Sequence, residues 1–161
     1  MARIESKLNE LGYVLPAPLI LPPGVTLPFP WVRVHGSRAF ISGHGPQNAD
    51  GSLATPLGKV GAEVSLEQAQ VAARQVGLSI LASLKRELGD LDRITAWLRV
   101  LGMVNSAPGF NRQRNVINGF TDLIVTLYGP ERGRHARSAV GMAQLPFDIA
   151  VEIEGEVEIR T

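Results

Sequence analysis

The chain has no cysteine, which excludes disulfides, thiolate nucleophiles and cysteine-ligated metals. Aromatic residues are scarce, at 6% against 45% apolar residues in all, so the core has to be built from Val, Ile, Leu and Ala. Excess charge is lacking too: 16 Lys and Arg against 15 Asp and Glu leave a formal net charge of +1. That balance gives no electrostatic case for nucleic acid or an anionic membrane surface. Long hydrophobic runs are missing. The most apolar early stretch, Val14–Pro30, is broken by Pro16, Pro18, Pro22, Pro23 and Pro28, so no spanning helix is expected there. The start, Met1–Tyr13, is charged and has no apolar run, which makes a secretory leader unexpected and a cytoplasmic location the default reading. The three histidines, His35, His44 and His135, do not fall at metal-site spacing, and each reads as a surface or turn residue. No Gly-x-Ser-x-Gly elbow occurs, and Gly43-His44-Gly45 is too short to cradle a phosphate and opens no helix.

With 161 residues there is room for one core rather than two. Ile4, Leu8 and Leu11 recur at helical spacing before Gly12 and predict a short helix over 2–11. Residues 14–30 read as an extended, proline-rich connector. Trp31–Ser42 carries two β-type runs around Gly36-Ser37, a hairpin signal, and residues 47–61 leave space for one short strand near Leu53. Ser65 followed by Gln68 forms a capping box. The 3.6 period of Ala69, Ala72, Ala73, Val76, Ile80, Leu81 and Leu84 then predicts a long helix closed by Gly89. Ile94–Val104 reads as a strand, Pro108–Leu127 as a second long helix ended by Gly129-Pro130. Strands are expected at Ala136–Ala143 and Ile149–Ile159, joined through Leu145-Pro146. This order gives an α+β fold, a two-layer sandwich with two helices on one face of a mixed sheet. Residues 1–30 form an N-terminal extension to a domain at 31–161.

On the last strand Ile149, Val151, Ile153, Val157 and Ile159 share one face, and Glu152, Glu154, Glu156 and Glu158 the other. On Ala136–Ala143, the residues sharing a face with Arg137 are Ala139, Gly141 and Ala143. Small residues there read as an open sheet face approached by another subunit. Arg137 beside small residues leaves room for a bidentate acid ligand, and Glu152 on a neighbouring, hairpin-linked strand would reach the same ligand. A cross-strand ion pair between the two accounts for the spacing equally well.

The run His135-Ala-Arg-Ser-Ala-Val-Gly-Met-Ala-Gln-Leu-Pro-Phe-Asp-Ile-Ala-Val-Glu-Ile-Glu154 resembles the C-terminal signature of the YjgF/Rid family, an A-R-S segment, then L-P, then an E-I-E strand. Upstream, Phe40-Ile-Ser-Gly-His-Gly-Pro46 is similar to that family's strand-ending loop. The resemblance covers Trp31 to Ile159. It implies a chorismate-mutase-like subunit, a homotrimer with three sites between subunits, and hydrolysis of 2-imino or enamino acids to 2-keto acids and ammonia without a cofactor or metal. By the same resemblance Arg137 grips the substrate carboxylate and Glu152 activates water. Asn118, Gly43 and Ala139 line the cleft, and Phe29 and Trp31 stand where the family has a tyrosine. A glutamine is usual at the position of His44. Two other functions stay open: a non-catalytic trimer that binds a small carboxylic acid and regulates a partner, and the endoribonuclease activity attached to the family's name, which the near-neutral charge opposes.

Overall fold

The computed structural model describes residues 3–161. Helix α1 (Arg3–Glu10) is followed by the connector, then the hairpin β1 (Val32–His35) and β2 (Arg38–His44), helix α2 (Leu66–Leu88), strand β3 (Ile94–Asn105), helix α3 (Gln113–Gly133), and strands β4 (Ala136–Met142) and β5 (Val151–Ile159). The helix expected over 2–11 is thus observed from Arg3, residue 2 lying outside the described residues. Only an isolated bridge between Gln47 and Leu53 forms where a short strand was expected.

The capping box drawn from Ser65 and Gln68 is present in both directions. Gly89, at φ 79°, ends α2 by donating its N–H to Lys85 O, a left-handed position that favours glycine. In α3 the backbone leaves helical geometry at Gly129 (φ 77°, ψ 172°) just before Pro130, and one further turn follows.

The five strands form one mixed sheet in the order β1-β2-β5-β3-β4. β5 runs antiparallel to both β2 and β3, while β4 pairs in parallel with β3. The last two strands are therefore not neighbours, because β3 lies between them. This corrects the hairpin-linked pairing expected for Arg137 and Glu152. A parallel partner requires a crossover, and α3 supplies it.

The long helices cover one sheet face, and the core between them holds Val100, Val104, Val151, Ile153, Val157, Ile117, Phe120 and Ile124. Trp97 is the largest core side chain, edge-on to Phe120 at 5.8 Å and Tyr128 at 5.9 Å. Helix α1 adds Ile4 and Leu8 to this core. Among the described residues the α-helices are thus the two expected on the sheet domain and the short one expected before the connector.

Candidate functional site

Register decides which side each candidate faces. Val100, buried under the helices, pairs with Arg137 on one side and Gly155 on the other. Gly102 pairs with Ala139, and a Cβ at Gly102 would run into Ile117 of α3. Arg137, Ala139 and Gly141 therefore face the helix layer, and Ala139 packs against the core. The small-residue face is not the open one, which corrects the expectation above. Those residues are small because α3 passes close to the edge strand. The open face instead carries Val140 and Met142, 38% and 36% exposed, with Met103 between Val140 and Glu152.

Arg137 reaches across the edge of the sheet to α3. Its Nη1 donates to Thr121 Oγ1 at 2.9 Å and its Nη2 to the Arg114 carbonyl at 3.1 Å. His135 Nδ1 lies 2.8 Å from the Gly133 carbonyl, and its Nε2 lies 3.0 Å from Thr121 Oγ1. A carbonyl can only accept, so Nδ1 carries the proton, and Thr121 then donates its hydroxyl hydrogen to Nε2 of a neutral ring. Burial, with the Arg137 charge beside it, holds the His135 pKa below the usual histidine range. The result is a directed chain from Arg137 through Thr121 and His135 to a backbone carbonyl. Asn118 is exposed on the same stripe of α3 as Arg114 and Thr121, at i, i+4 and i+7. Burial lowers the Arg137 pKa, and nearby Asp122 opposes that.

Glu152 stands on the other face. A bulge between Ile41 and His44 shifts the β2 register against β5. Beyond it His44 pairs with Ile153 and turns in to the helices, while Gly43 turns out against Glu152. A Cβ at Gly43 would collide with the Glu152 carboxylate, so glycine is what lets that side chain lie on the β2 backbone. Burial, and then the like charge of Glu154, raise the Glu152 pKa above the ordinary carboxylate value. Beside it opens a cavity of about 280 Å³ whose walls include Phe29, Trp31, Gly43 and His44.

His44 departs from the expected surface or turn position. It is 2% exposed, its ring 4.8 Å from that of Trp31. Nδ1 donates to the Ser42 carbonyl at 2.6 Å, and Nε2 accepts from Ser83 Oγ at 2.9 Å. Ser83 Oγ in turn accepts from Arg86 Nη2 at 3.2 Å. Burial pushes the His44 pKa down to about 4, against the Ser42 hydrogen bond and with help from the Arg86 charge. His35, by contrast, is exposed as expected.

The candidates thus fall into two groups. Arg137, Asn118 and Ala139 meet at the α3–β4 edge, and Glu152, Gly43, Phe29 and Trp31 meet around the cavity on the opposite side. Sequence reasoning missed Thr121, Ser83 and Arg86. The first was readable as the third member of the polar stripe Arg114, Asn118, Thr121. Among the described residues, Glu5, Asp90 and Asp92 are the acidic side chains close enough together to suggest a cation. Their oxygens already accept from Lys85 and from the backbone N–H groups of Arg3 and Asp92. No helix among the described residues is long and apolar enough to cross a membrane.

A mixed five-stranded sheet with its helices on one face, β4 returning in parallel beside β3, is the YjgF-type α+β fold. YjgF from E. coli superposes with a TM-score of 0.59 over 92% of this chain and 98% of that one, at 20% identity. No family model matches the chain. It is similar to protein TCP17 of Trypanosoma cruzi, 40% identical over 98% of this chain and 95% of that protein. It is also similar to Atu1372 of Agrobacterium tumefaciens, a protein of unknown function, at 42% identity and a TM-score of 0.86, covering 98% and 94% of the two chains. The fold is that of the YjgF/Rid proteins, and the run from His135 to Glu154 resembles that family's C-terminal signature.

Proposed function

We propose that the protein hydrolyses reactive 2-imino acids to 2-keto acids and ammonia, in clefts between copies of a homotrimer. The observation that carries this reading is Glu152, a half-buried carboxylate at the edge of an apolar cavity, its pKa raised by that burial. Such a group is a better general base near neutral pH than an exposed glutamate. Glu152 takes a proton from water as the oxygen bonds to the imine carbon, and the imine nitrogen gains a proton, giving a carbinolamine. The nitrogen then receives a proton, the C–N bond breaks, ammonia leaves, and the hydroxyl loses its proton as the carbonyl forms. Imino acid and water become keto acid and ammonia.

The substrate carboxylate needs a cation, and among the described residues lining the cavity there is no lysine or arginine. Arg137 of the same chain is held on the other side of the sheet. A copy of the chain docking its α3–β4 edge at the cavity of a neighbour brings Arg137 and Asn118 to Glu152. The apolar side chains on the open sheet face, Phe40, Val140 and Met142, favour such association.

The test is to generate 2-iminopropanoate with an amino-acid oxidase and follow imine loss. Wild type should exceed the enzyme-free control, and Glu152→Ala should lose ~10²–10⁴-fold. Arg137→Ala should be similarly poor alone. Unfolding and reassembling an equal mixture of the two variants should restore roughly a quarter of wild-type activity, because that share of clefts would draw both intact residues from different copies. No recovery would place both residues in one chain's site, and a wild type no faster than the control would leave an acid-binding protein instead.

A further inference from the structure

The cavity beside Glu152 is lined by more than the family signature accounts for. Leu19, Leu21 and Leu27 of the connector form one wall, Leu53 and Ile149 extend it, and Phe147 stands at its rim, 51% exposed. The connector is tied down at its first half. Ala17 N donates to Ala49 O and Ile20 N to Gly51 O, both at 3.0 Å, while Gln47 Nε2 and Arg86 Nη1 donate to the carbonyls of Ala17 and Pro16. Within it, Leu19, Leu21 and Leu27 are half-buried, whereas Ile20 and Val25 point out. A stretch that only spanned a gap would have no reason to sort its side chains in this way.

The opposite rim is held under strain. Phe147 and Asp148 both adopt left-handed backbone, φ 56° and 60°, which is costly for side chains of this kind. The turn is clamped from below by buried Asn105, whose Nδ2 donates to Asp148 Oδ1 at 3.3 Å and to Ile149 O at 3.2 Å. Gly58 N donates to Asp148 O at 2.7 Å. Strain maintained at the mouth of a cavity marks a place where side-chain position matters more than local comfort.

We infer that this chamber selects imino acids with a large apolar side chain, branched aliphatic or aromatic, over the two- and three-carbon acids. This rests on the proposed deaminase reading for the chemistry, though not for the binding. With the reacting carbon beside Glu152, the substituent would extend between Trp31, Phe29 and the connector leucines. Neutral His44 behind Trp31 keeps that wall uncharged. A hydrophobic pocket gains roughly 10–200-fold per well-accommodated methylene, so a four-carbon branched side chain should be preferred over methyl by at least about tenfold.

Two measurements decide it. First, kcat/KM is compared for imines made by an amino-acid oxidase from leucine, phenylalanine and alanine. Second, binding of 4-methyl-2-oxopentanoate, phenylpyruvate and pyruvate is titrated by calorimetry, which does not depend on turnover. The larger acids should win in both. Leu27→Trp, which fills the chamber, should bring the large-to-small ratio towards one. Leu27→Ala, which widens it, should move the preference from 4-methyl-2-oxopentanoate towards phenylpyruvate. Equal kcat/KM for all three imines with equal keto-acid affinities would overturn the inference and leave the deaminase reading standing. Tighter binding of the larger keto acids without any imine turnover would uphold the chamber and sink the deaminase.

Discussion

Two places in this molecule use the same hydrogen-bond grammar. Arg137, Thr121, His135 and the Gly133 carbonyl form one chain, and Arg86, Ser83, His44 and the Ser42 carbonyl form the other. In each, an arginine donates to a hydroxyl, the hydroxyl donates to a neutral histidine, and the histidine donates to the carbonyl two residues before it. What differs is burial. His44 is sealed between α2 and Trp31, so its chain closes the structure over the sheet. His135 is half-buried and its arginine sits at the sheet edge beside exposed Asn118, so that chain holds a part-exposed cation against α3. The same pattern closes over a buried ring in one place and holds an arginine at a wetter edge in the other.

The largest expected difference between the two is in acid. The fold holds His44 near pKa 4, against ~6.5 in the unfolded chain. The folded form resists protonation, so this contribution to stability is complete above the unfolded value. It is lost as pH falls from ~6.5 to about 4. At ~1.36 kcal/mol per pH unit the loss approaches about 3 kcal/mol. Denaturant midpoints at pH 7 and pH 4.5 should therefore fall further for wild type than for His44→Gln, and equal falls would remove His44 as the acid-sensitive fastening.

Next in size is Ser83→Ala, which leaves His44 Nε2 buried without a donor at a cost of ~1–3 kcal/mol. Keto-acid affinity should change little, and a large affinity loss with unchanged stability would erase the contrast. The smallest effect is expected for Thr121→Val, which frees Arg137 at a more exposed site. Losing the Arg137 hydrogen bond, at ~0.5–1.5 kcal/mol, should appear as a roughly twofold to twelvefold rise in KM with kcat nearly unchanged, and losing the bond to half-buried His135 as a small fall in the unfolding midpoint. Thr121→Ser should restore KM. A rise in KM that serine does not rescue would deny the hydroxyl its positioning role.

The contrast also shows where the sequence was readable. Helical period, the Ser65–Gln68 capping box and the alternation of β5 depend on neighbours within a few residues, and the structure has all three. Strand order does not: alternation tells which face a side chain takes, and says nothing about which strand lies beside it. Arg137 and Glu152, fifteen residues apart in the sequence, read as joined in a hairpin that β3 in fact divides. The small residues Ala139 and Gly141 fitted a neighbouring subunit and a neighbouring helix equally well, and α3 proved to be the neighbour. At His44 one bulge defeated alternation. Counting from Ala39 and Ile41 puts residue 43 inside, and the extra residue puts His44 there and Gly43 out against Glu152.

Placing Arg137 and Glu152 on opposite faces of one sheet has a consequence for the cell as well as for the site. Under the proposed reading the two residues meet only in the associated fraction, so specific activity should be constant at high protein concentration and fall on dilution. On that reading abundance itself would act as the switch: halving expression near the association midpoint would remove more than half of the working sites.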